Sequence, residues 1–185
     1  MNKKLHQLAA MAALAFASFA ANAAGAANIV VDVTGADSIN KLGETGNVVR
    51  FVDIGANALL TSLDWAVTLN AFAPSSLADM RVSFGQSSGA NMIDLAPGGN
   101  DFFSGSGSYA GSTDLTGLGI AAGADGLLRI EFSEYSKDFA SGVTEGRWVS
   151  GSLTFGVSPV PEPTGAVLAL LGLGALTGVR RLRRR

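Results

Sequence analysis

Carboxylates dominate the side chains of the central chain that could do chemistry. Fourteen of the 15 acidic residues lie between residues 24 and 160, the single histidine is His6, and there is no cysteine. Once the N-terminal segment that holds His6 is removed, Ser-His-Asp and Cys-His nucleophiles, disulfides, the usual zinc sites, thiolate iron–sulfur clusters and covalent haem are excluded. The chemistry that remains uses paired carboxylates, Ser/Lys or Tyr.

Two acidic pairs are candidates for glycoside hydrolysis: Glu131 with Glu134, and Asp94 with Asp101. Such enzymes hold two carboxyls about 5 Å or about 6.5 to 9.5 Å apart. Glu131 falls on the polar side of an alternating strand, where we expect an exposed carboxylate. The central chain, residues 24–158, which we call the body, is also small, so it has little surface for the long substrate cleft that such enzymes use. We therefore predict no catalytic residue and no enzymatic activity. A carboxylate-dependent carbohydrate-active enzyme is the alternative.

Calcium is the cation that the loops would suit, because hard cations take carboxylate, amide and carbonyl oxygens. The candidate ligands are Asp94, Asn100, Asp101, Asp114 and Asp125. The run Gly98-Gly99-Asn100-Asp101 is similar to one copy of a calcium-binding glycine repeat, but no loop has the EF-hand spacing. We expect solvated turn acids and no cofactor or metal, with calcium as the alternative.

The charge of the body limits its partners. Only six of the 13 Lys and Arg residues lie in the body, so its net charge is about −8. This charge argues against nucleic acid as a partner. It also disfavours direct contact with an anionic polysaccharide, so a neutral glycan or a calcium bridge would be needed.

Short strands of alternating polarity must position these side chains. Predicted strands span residues 29–33, 48–54, 63–72, 81–84, 91–95, 128–133, 147–149 and 153–157. Gly-rich connections recur from Gly85 to Gly126, where Asp125-Gly126 predicts a tight turn. The pattern predicts an all-β fold, an antiparallel β-sandwich or jelly roll, with a parallel β-helix as the rival.

The two tryptophans, Trp65 and Trp148, both lie in strand-like contexts. We expect both to fill the core between the strands. The alternative is that one of them is an exposed platform on which a sugar ring stacks.

Residues 1–23 read as a secretory signal peptide. Lys3 and Lys4 precede an apolar stretch over residues 8–20, and Ala21-Asn22-Ala23 is a small-x-small site. This order predicts export by the secretion machinery and cleavage after about Ala23. The exported body, residues 24–158, then depends on an ordinary hydrophobic core for its stability, because it has no disulfides.

Residues 159–185 form a tail of three parts. The two prolines of Pro161-Glu162-Pro163 lack the backbone N–H that a β-sheet requires. This segment should therefore stay extended and accessible to a processing enzyme. The apolar residues 164–179 would make a helix about 24 Å long, shorter than a hydrocarbon core of about 30 Å. The basic end, residues 180–185, would be held on the cytoplasmic side. Its arginines are Arg180, Arg181, Arg183, Arg184 and Arg185.

This tail resembles the PEP-CTERM sorting signal of exported bacterial proteins. The resemblance implies that an exosortase, a membrane-embedded transpeptidase-like enzyme, recognises the motif and removes the helix and the basic end. Pro161, Glu162 and Pro163 would then be substrate residues, and the protein would pass from an inner-membrane intermediate to the cell surface or an extracellular polysaccharide matrix such as a biofilm. A plain membrane anchor that is never cleaved is the alternative.

The body is also similar, over short segments, to the P-domain of subtilisin-like convertases, a jelly-roll module. The likeness covers residues 65–72 with Pro74 and Leu77 before the strand at 80–84, and Gly146-Arg147-Trp148 before the closing strand. It implies an accessory or binding module. Together these observations predict an exported, non-enzymatic protein whose body is structural or interacts with carbohydrate.

Overall fold

The computed structural model describes residues 26–158, and these residues contain β-strands and no helix. The strands are β1 (Ala27–Asp32), β2 (Ala36–Ser38), β3 (Val48–Asp53), β4 (Leu59–Ala71), β5 (Met80–Gln86), β6 (Ile93–Leu95), β7 (Gly105–Asp114), β8 (Leu127–Glu134) and β9 (Gly146–Ser158). No segment within 26–158 is a helix that is long and apolar enough to cross a membrane. The predicted signal peptide and sorting tail lie outside the described residues.

The strands form two sheets, and every pairing of two neighbouring strands within a sheet is antiparallel. The five-stranded sheet has the order β1-β9-β4-β7, with β2 also paired to β9. The four-stranded sheet has the order β3-β8-β5-β6. The chain crosses from one sheet to the other six times, so most neighbours within a sheet are separated in sequence by a strand of the other sheet, and the consecutive strands β5 and β6 are the exception. The predicted all-β class with antiparallel sheets is confirmed.

The inner faces of both sheets contribute to one hydrophobic cluster. Phe84 of β5 meets Phe155 of β9 edge-on with ring centroids 5.2 Å apart, and Phe132 of β8 meets Trp148 of β9 at the same distance. The inward alternation predicted for Leu128, Ile130 and Phe132 is confirmed, since all three are fully buried. These contacts place the core between the two sheets.

Strand β7 is the longer of two strands that were not predicted from the sequence; the other is the three-residue β2. Its ten residues lie within the segment read as Gly-rich connections, yet all ten pair with β4 in unbroken register. Gly111 lies directly opposite Trp65, and a Cβ at this position would overlap the indole ring. Glycine is therefore required here by a close approach, although it weakens a strand in isolation.

Two further predictions concern strand β9 and the turn at Asp125-Gly126. The segments 147–149 and 153–157 are parts of one strand, β9, whose pairing with β4 shifts register at Thr68/Leu69. The predicted turn at Asp125-Gly126 is confirmed, because Gly126 has a φ of 75° and donates its backbone N–H to Gly123 O at 3.0 Å.

The outer faces of the two sheets differ in what lies over them. On β4, β7 and β9 of the five-stranded sheet, eleven outward side chains are small or polar and exposed or half-buried, and we call them the open face. They are Asp64, Ala66, Thr68 and Asn70 on β4, Ser106, Ser108, Ala110 and Ser112 on β7, and Ser150, Ser152 and Thr154 on β9. On the four-stranded sheet, the outward residues Ser83, Gly85, Glu131 and Ser133 are all buried, and we call them the covered face.

Candidate functional site

A concavity beside the loop between β6 and β7 brings polar and aromatic groups together at the surface. It is lined by Arg81, Ala96, Pro97, Gly98, Gly99, Asn100, Asp101, Phe103 and Tyr109. Strand β5 supplies the arginine and β7 supplies the tyrosine, while the loop supplies the rest. The site therefore depends on elements from both sheets.

Backbone hydrogen bonds fix the loop against the segment before β5. Leu77 N donates to Phe103 O at 3.0 Å, and Ala78 N donates to Asp101 O at 2.8 Å. Gly98 fits closely under this segment, since a Cβ there would lie 2.9 Å from Leu77 O. The loop is thus a fixed part of the surface, as a preformed binding site requires.

Asp101 organises the floor of the concavity. Its Oδ2 accepts the Tyr109 hydroxyl at 2.9 Å, and its Oδ1 accepts the Phe103 N–H at 3.3 Å. Burial raises the pKa of Tyr109 to about 12, and the Asp101 carboxylate adds to this effect. Tyr109 therefore remains a neutral hydrogen-bond donor at physiological pH.

Arg81 supplies the positive charge at this site. Its guanidinium carbon lies 4.5 Å from the centroid of the Tyr135 ring, a cation–π arrangement. Its Nε is buried and has no hydrogen-bond partner among residues 26–158. Arg81 and Asp101 both line the concavity, so the site holds one cationic and one anionic residue.

Phe102 and Phe103 are the most exposed large hydrophobic side chains in residues 26–158, at 75% and 77% exposure. Flat aromatic faces stack on the apolar C–H faces of sugar rings, while nearby polar groups bond the ring hydroxyls. This pair was not predicted from the sequence, where the candidates for a sugar platform were Trp65 and Trp148. The adjacent Phe-Phe beside a Gly-Gly turn was the available signal.

Neither tryptophan is an exposed platform. Trp148 is fully buried, as predicted. Trp65 is half-buried and packs against the hydrophobic cluster, with its ring over Gly111.

The structure does not bring Glu131 and Glu134 together. They lie on opposite faces of β8, because Glu134 follows the inward series of Ile130 and Phe132 while Glu131 points outward. The expectation that Glu131 is exposed is wrong, since it is only 1% exposed. The physical reason is that the loop between β2 and β3 lies over it.

Glu131 is fully bonded inside the protein. Its Oε1 accepts Gly43 N and Asn47 Nδ2, each at 2.8 Å, and its Oε2 pairs with the Arg129 guanidinium at 2.5 Å. Burial alone would raise the pKa of Glu131, but these donors together lower it below its usual value. Glu131 is therefore an ionised group that attaches the β2–β3 loop to the sheet.

Glu145 has the same role for the loop between β8 and β9. Its carboxylate pairs with Lys137 Nζ at 2.6 Å and accepts the backbone N–H groups of Asp138 and Phe139 at 3.0 and 3.2 Å. Asn40 joins the two loops, because its Nδ2 donates to Thr45 O at 2.8 Å and its Oδ1 accepts Gly142 N at 2.9 Å.

Glu134 is the exception among the buried acids. It is 2% exposed, and neither carboxyl oxygen has a hydrogen-bond partner within residues 26–158. Burial, helped by the neighbouring acids Glu145 and Asp79, raises its pKa to about 8 against the lowering effects of Ser38 and Lys137. Glu134 is therefore largely protonated at neutral pH.

The other predicted acidic candidates each have a local partner. Asp94 accepts the Ser83 hydroxyl at 2.5 Å, Asp114 accepts Thr116 N at 2.7 Å, and Asp125 accepts Leu127 N at 3.2 Å. Within the part of the chain that the structure describes, no three His, Cys, Asp or Glu residues are grouped so that they could hold a metal ion. Of the calcium candidates, Asn100 and Asp101 lie together at the concavity.

The predicted processing residues fall outside the described range. They are Ala21, Ala23, Pro161, Glu162, Pro163 and the C-terminal arginines.

No family model matches this chain. No curated protein matches it either. Among solved structures, the chain is similar to the Aeromonas sobria serine protease in complex with the chaperone ORF2, with 14% identity and a TM-score of 0.42 over 79% of this chain and 29% of that one. It is also similar to dimeric latent PorU from Porphyromonas gingivalis (9% identity, TM-score 0.35, 72% of this chain and 13% of that one).

A third similar structure is the VP2 subviral particle of infectious bursal disease virus (12% identity, TM-score 0.37, 79% of this chain and 35% of that one). The chain thus spans about a third or less of the length of each of these structures.

Proposed function

We propose that this protein is an exported, non-enzymatic component of the bacterial cell surface or extracellular matrix, sorted and cleaved through its C-terminal tail. The observation that carries this proposal is the order of Pro161-Glu162-Pro163, the apolar residues 164–179 and the basic end 180–185. An exosortase-type enzyme is the proposed processing partner. The membrane holds the tail only until cleavage.

For the body we propose a β-sandwich of the jelly-roll kind. Two antiparallel sheets with one hydrophobic cluster between them support this architecture, and so does the repeated crossing of the chain from sheet to sheet. Such folds present their loops at the ends and edges, where the concavity beside Phe103 lies.

We propose that the body binds a neutral glycan at this concavity. Phe102 and Phe103 offer faces for stacking, and Arg81 and Asp101 offer a donor and an acceptor for ring hydroxyls. The net charge of about −8 over the body favours a neutral polymer over an anionic one.

The geometry of the acids supports a binding role over hydrolysis. Glu131 and Glu134 occupy opposite faces of β8, and Glu134 and Glu145 are buried away from solvent. A glycosidase needs two carboxyls that flank one substrate bond. Loss of polysaccharide chain length on incubation with the protein would instead support the carboxylate-dependent enzyme.

Intact mass of the protein recovered from its host, with its terminal peptides sequenced, tests the sorting proposal. We expect a species that starts near Ala24 and ends near Pro161 to Pro163. Glu162→Gln should leave the tail uncleaved, whereas Glu44→Gln, a matched change at an exposed residue of the body, should not. Retention of residues 164–185 in the unmodified protein would support a permanently tethered adhesion module.

Retardation in gels that contain a soluble neutral β-glucan tests the binding proposal, with an anionic polyuronate as the comparison polymer. Replacing both Phe102 and Phe103 by Ala should abolish retardation by the neutral glucan. Phe51→Ala is the matched control, because Phe51 is also exposed, at 52%, but lies on β3. Equal loss in the control, or no retardation of the unmodified protein, would contradict binding at this concavity.

A further inference from the structure

The outer edge of β7 is a long row of backbone groups without a partner strand. β7 ends the five-stranded sheet, so among residues 26–158 no strand pairs with its far side. Its register on β4 runs unbroken from Gly105 to Asp114, without the bulge that interrupts the pairing of β4 with β9. An edge of this kind presents a template of N–H and C=O groups for another strand.

The two free edges of the four-stranded sheet, β3 and β6, are protected in ways that β7 is not. β6 has only three residues, and β3 carries Arg50 and Asp53 within its six. The Arg50 guanidinium also donates to the backbone oxygen of Asp32, at the end of β1. Short length and charged side chains are the devices by which proteins protect sheet edges.

β7 has one charged residue, Asp114, and it stands at the end of the strand. No proline or charged side chain occurs from Gly105 to Thr113. At about 3.3 Å per residue, the edge is about 33 Å long. This length and neutrality favour a partner that is itself a long, uncharged strand.

We propose that β7 pairs antiparallel with β7 of a second copy of this chain, so that the two five-stranded sheets become continuous across a two-fold axis. A strand that pairs with itself makes an isologous interface, which closes as a dimer. When the two-fold axis passes through Ala110, Ser108 of one copy lies opposite Ser112 of the other. Outward side chains then pair with outward ones, so the outer faces of the two sheets lie on the same side. In the same register each Asp114 meets Ser106, so the two carboxylates lie at opposite ends of the interface.

On the inner face this register pairs Tyr109 of one copy with Gly111 of the other, and Gly107 with Thr113. Within each copy the Tyr109 ring lies over Gly107 and the Trp65 ring lies over Gly111, so the inner face of this edge is already filled by side chains of the same chain. A register shifted by one residue would place outward side chains against inward ones.

A charge placed at the centre of the edge tests the proposal. The protein recovered from its host should sediment as a dimer at micromolar concentration, and Ala110→Lys should shift it to a monomer by bringing two like charges together at the axis. Ala66→Lys is the matched control, because Ala66 lies directly opposite Ala110 on β4, on the same exposed face but away from the edge. This control should remain a dimer.

A single cysteine tests the register. The chain has no cysteine, and two residues that pair across antiparallel strands have Cα atoms within the range that a disulfide spans. Ala110→Cys should form a covalent dimer on oxidation at dilute concentration, and Ala66→Cys should not. A monomeric unmodified protein, equal dissociation by both lysine variants, or equal cross-linking of both cysteine variants would overturn the proposal.

Discussion

The open face and the covered face lie on opposite sides of the same core, and both carry polar residues in alternation with apolar ones. Asp64, Thr68 and Asn70 alternate along β4 as Arg129, Glu131 and Ser133 do along β8. On β4 these side chains are exposed or half-buried, whereas Glu131 and Ser133 are only 1% and 2% exposed. The difference arises because loops lie over the four-stranded sheet. A strand face that carries polar residues is therefore not necessarily exposed to solvent.

Removing a carboxylate from each face gives the largest expected contrast. Glu131→Ala should lower the free energy of unfolding by about 3 to 4 kcal/mol, since it leaves Gly43 N, Asn47 Nδ2 and the Arg129 guanidinium without their acceptor. Asp64→Ala, on the open face, should change it by less than about 0.5 kcal/mol. Urea unfolding of the two variants measures both values. Equal effects would remove the distinction between the faces.

The pH dependence of stability sharpens the contrast within β8 itself. The pKa of Glu134 in the folded protein is raised to about 8, compared with an ordinary value of 4.5 in the unfolded chain. Between these two pH values the folded protein holds a proton that the unfolded chain has released. The stability of the fold therefore falls as pH rises from 4.5 to 8. Glu134→Gln should remove this loss because glutamine does not ionise. The free energy of unfolding of the variant, compared with that of the unmodified protein, should therefore be about 2 to 3 kcal/mol higher at pH 8 than at pH 5.

Glu131→Gln is the matched variant with the opposite sign. The pKa of Glu131 is lowered, so its contribution is present above the ordinary pKa and is lost as pH falls through the folded value. The variant should therefore be most destabilising near neutral pH, in thermal melts from pH 3 to pH 9. Parallel pH profiles for the two variants would contradict the assignment of their environments.

Two adjacent residues of β7, Gly111 and Ser112, test the inner and outer faces of the five-stranded sheet. Gly111→Ala should destabilise the protein by about 1 to 2 kcal/mol, because the new Cβ meets the Trp65 ring on the inner face. Ser112→Ala, which creates the same side chain on the outer face, should be nearly neutral. Tryptophan fluorescence reports the unfolding of both variants, and an unchanged stability for Gly111→Ala would show that Trp65 moves freely.

Calcium should have the smallest effect. Asp101, Asp114 and Asp125 each accept an N–H of their own loop, which satisfies these carboxylates without a cation. We therefore expect the melting temperature to change by less than about 1 °C in millimolar calcium compared with chelator. A rise of several degrees that is lost in Asp101→Asn would instead locate a calcium site at the concavity.

The candidate site shows where sequence reasoning stops. The alternation of β8 predicted that Ile130 and Phe132 face inward, and Trp148 was correctly expected in the core. The concavity was missed because Arg81, Asp101 and Tyr109 are separated along the chain and meet only when β5, the β6–β7 loop and β7 are assembled. β7 itself was missed because its glycines carry no strand signal until Trp65 lies over Gly111.

The sequence by itself determined the all-β class and the inward residues of the strongly alternating strands, because period-two polarity follows from strand geometry alone. It also determined the chemistry that the body lacks, since this depends only on which residue types are present. The tertiary structure decided which polar residues are buried and how the sheets are ordered. Those properties depend on which loop lies over which face and which strand lies at an edge, and these are contacts between residues as far apart as Gly43 and Glu131.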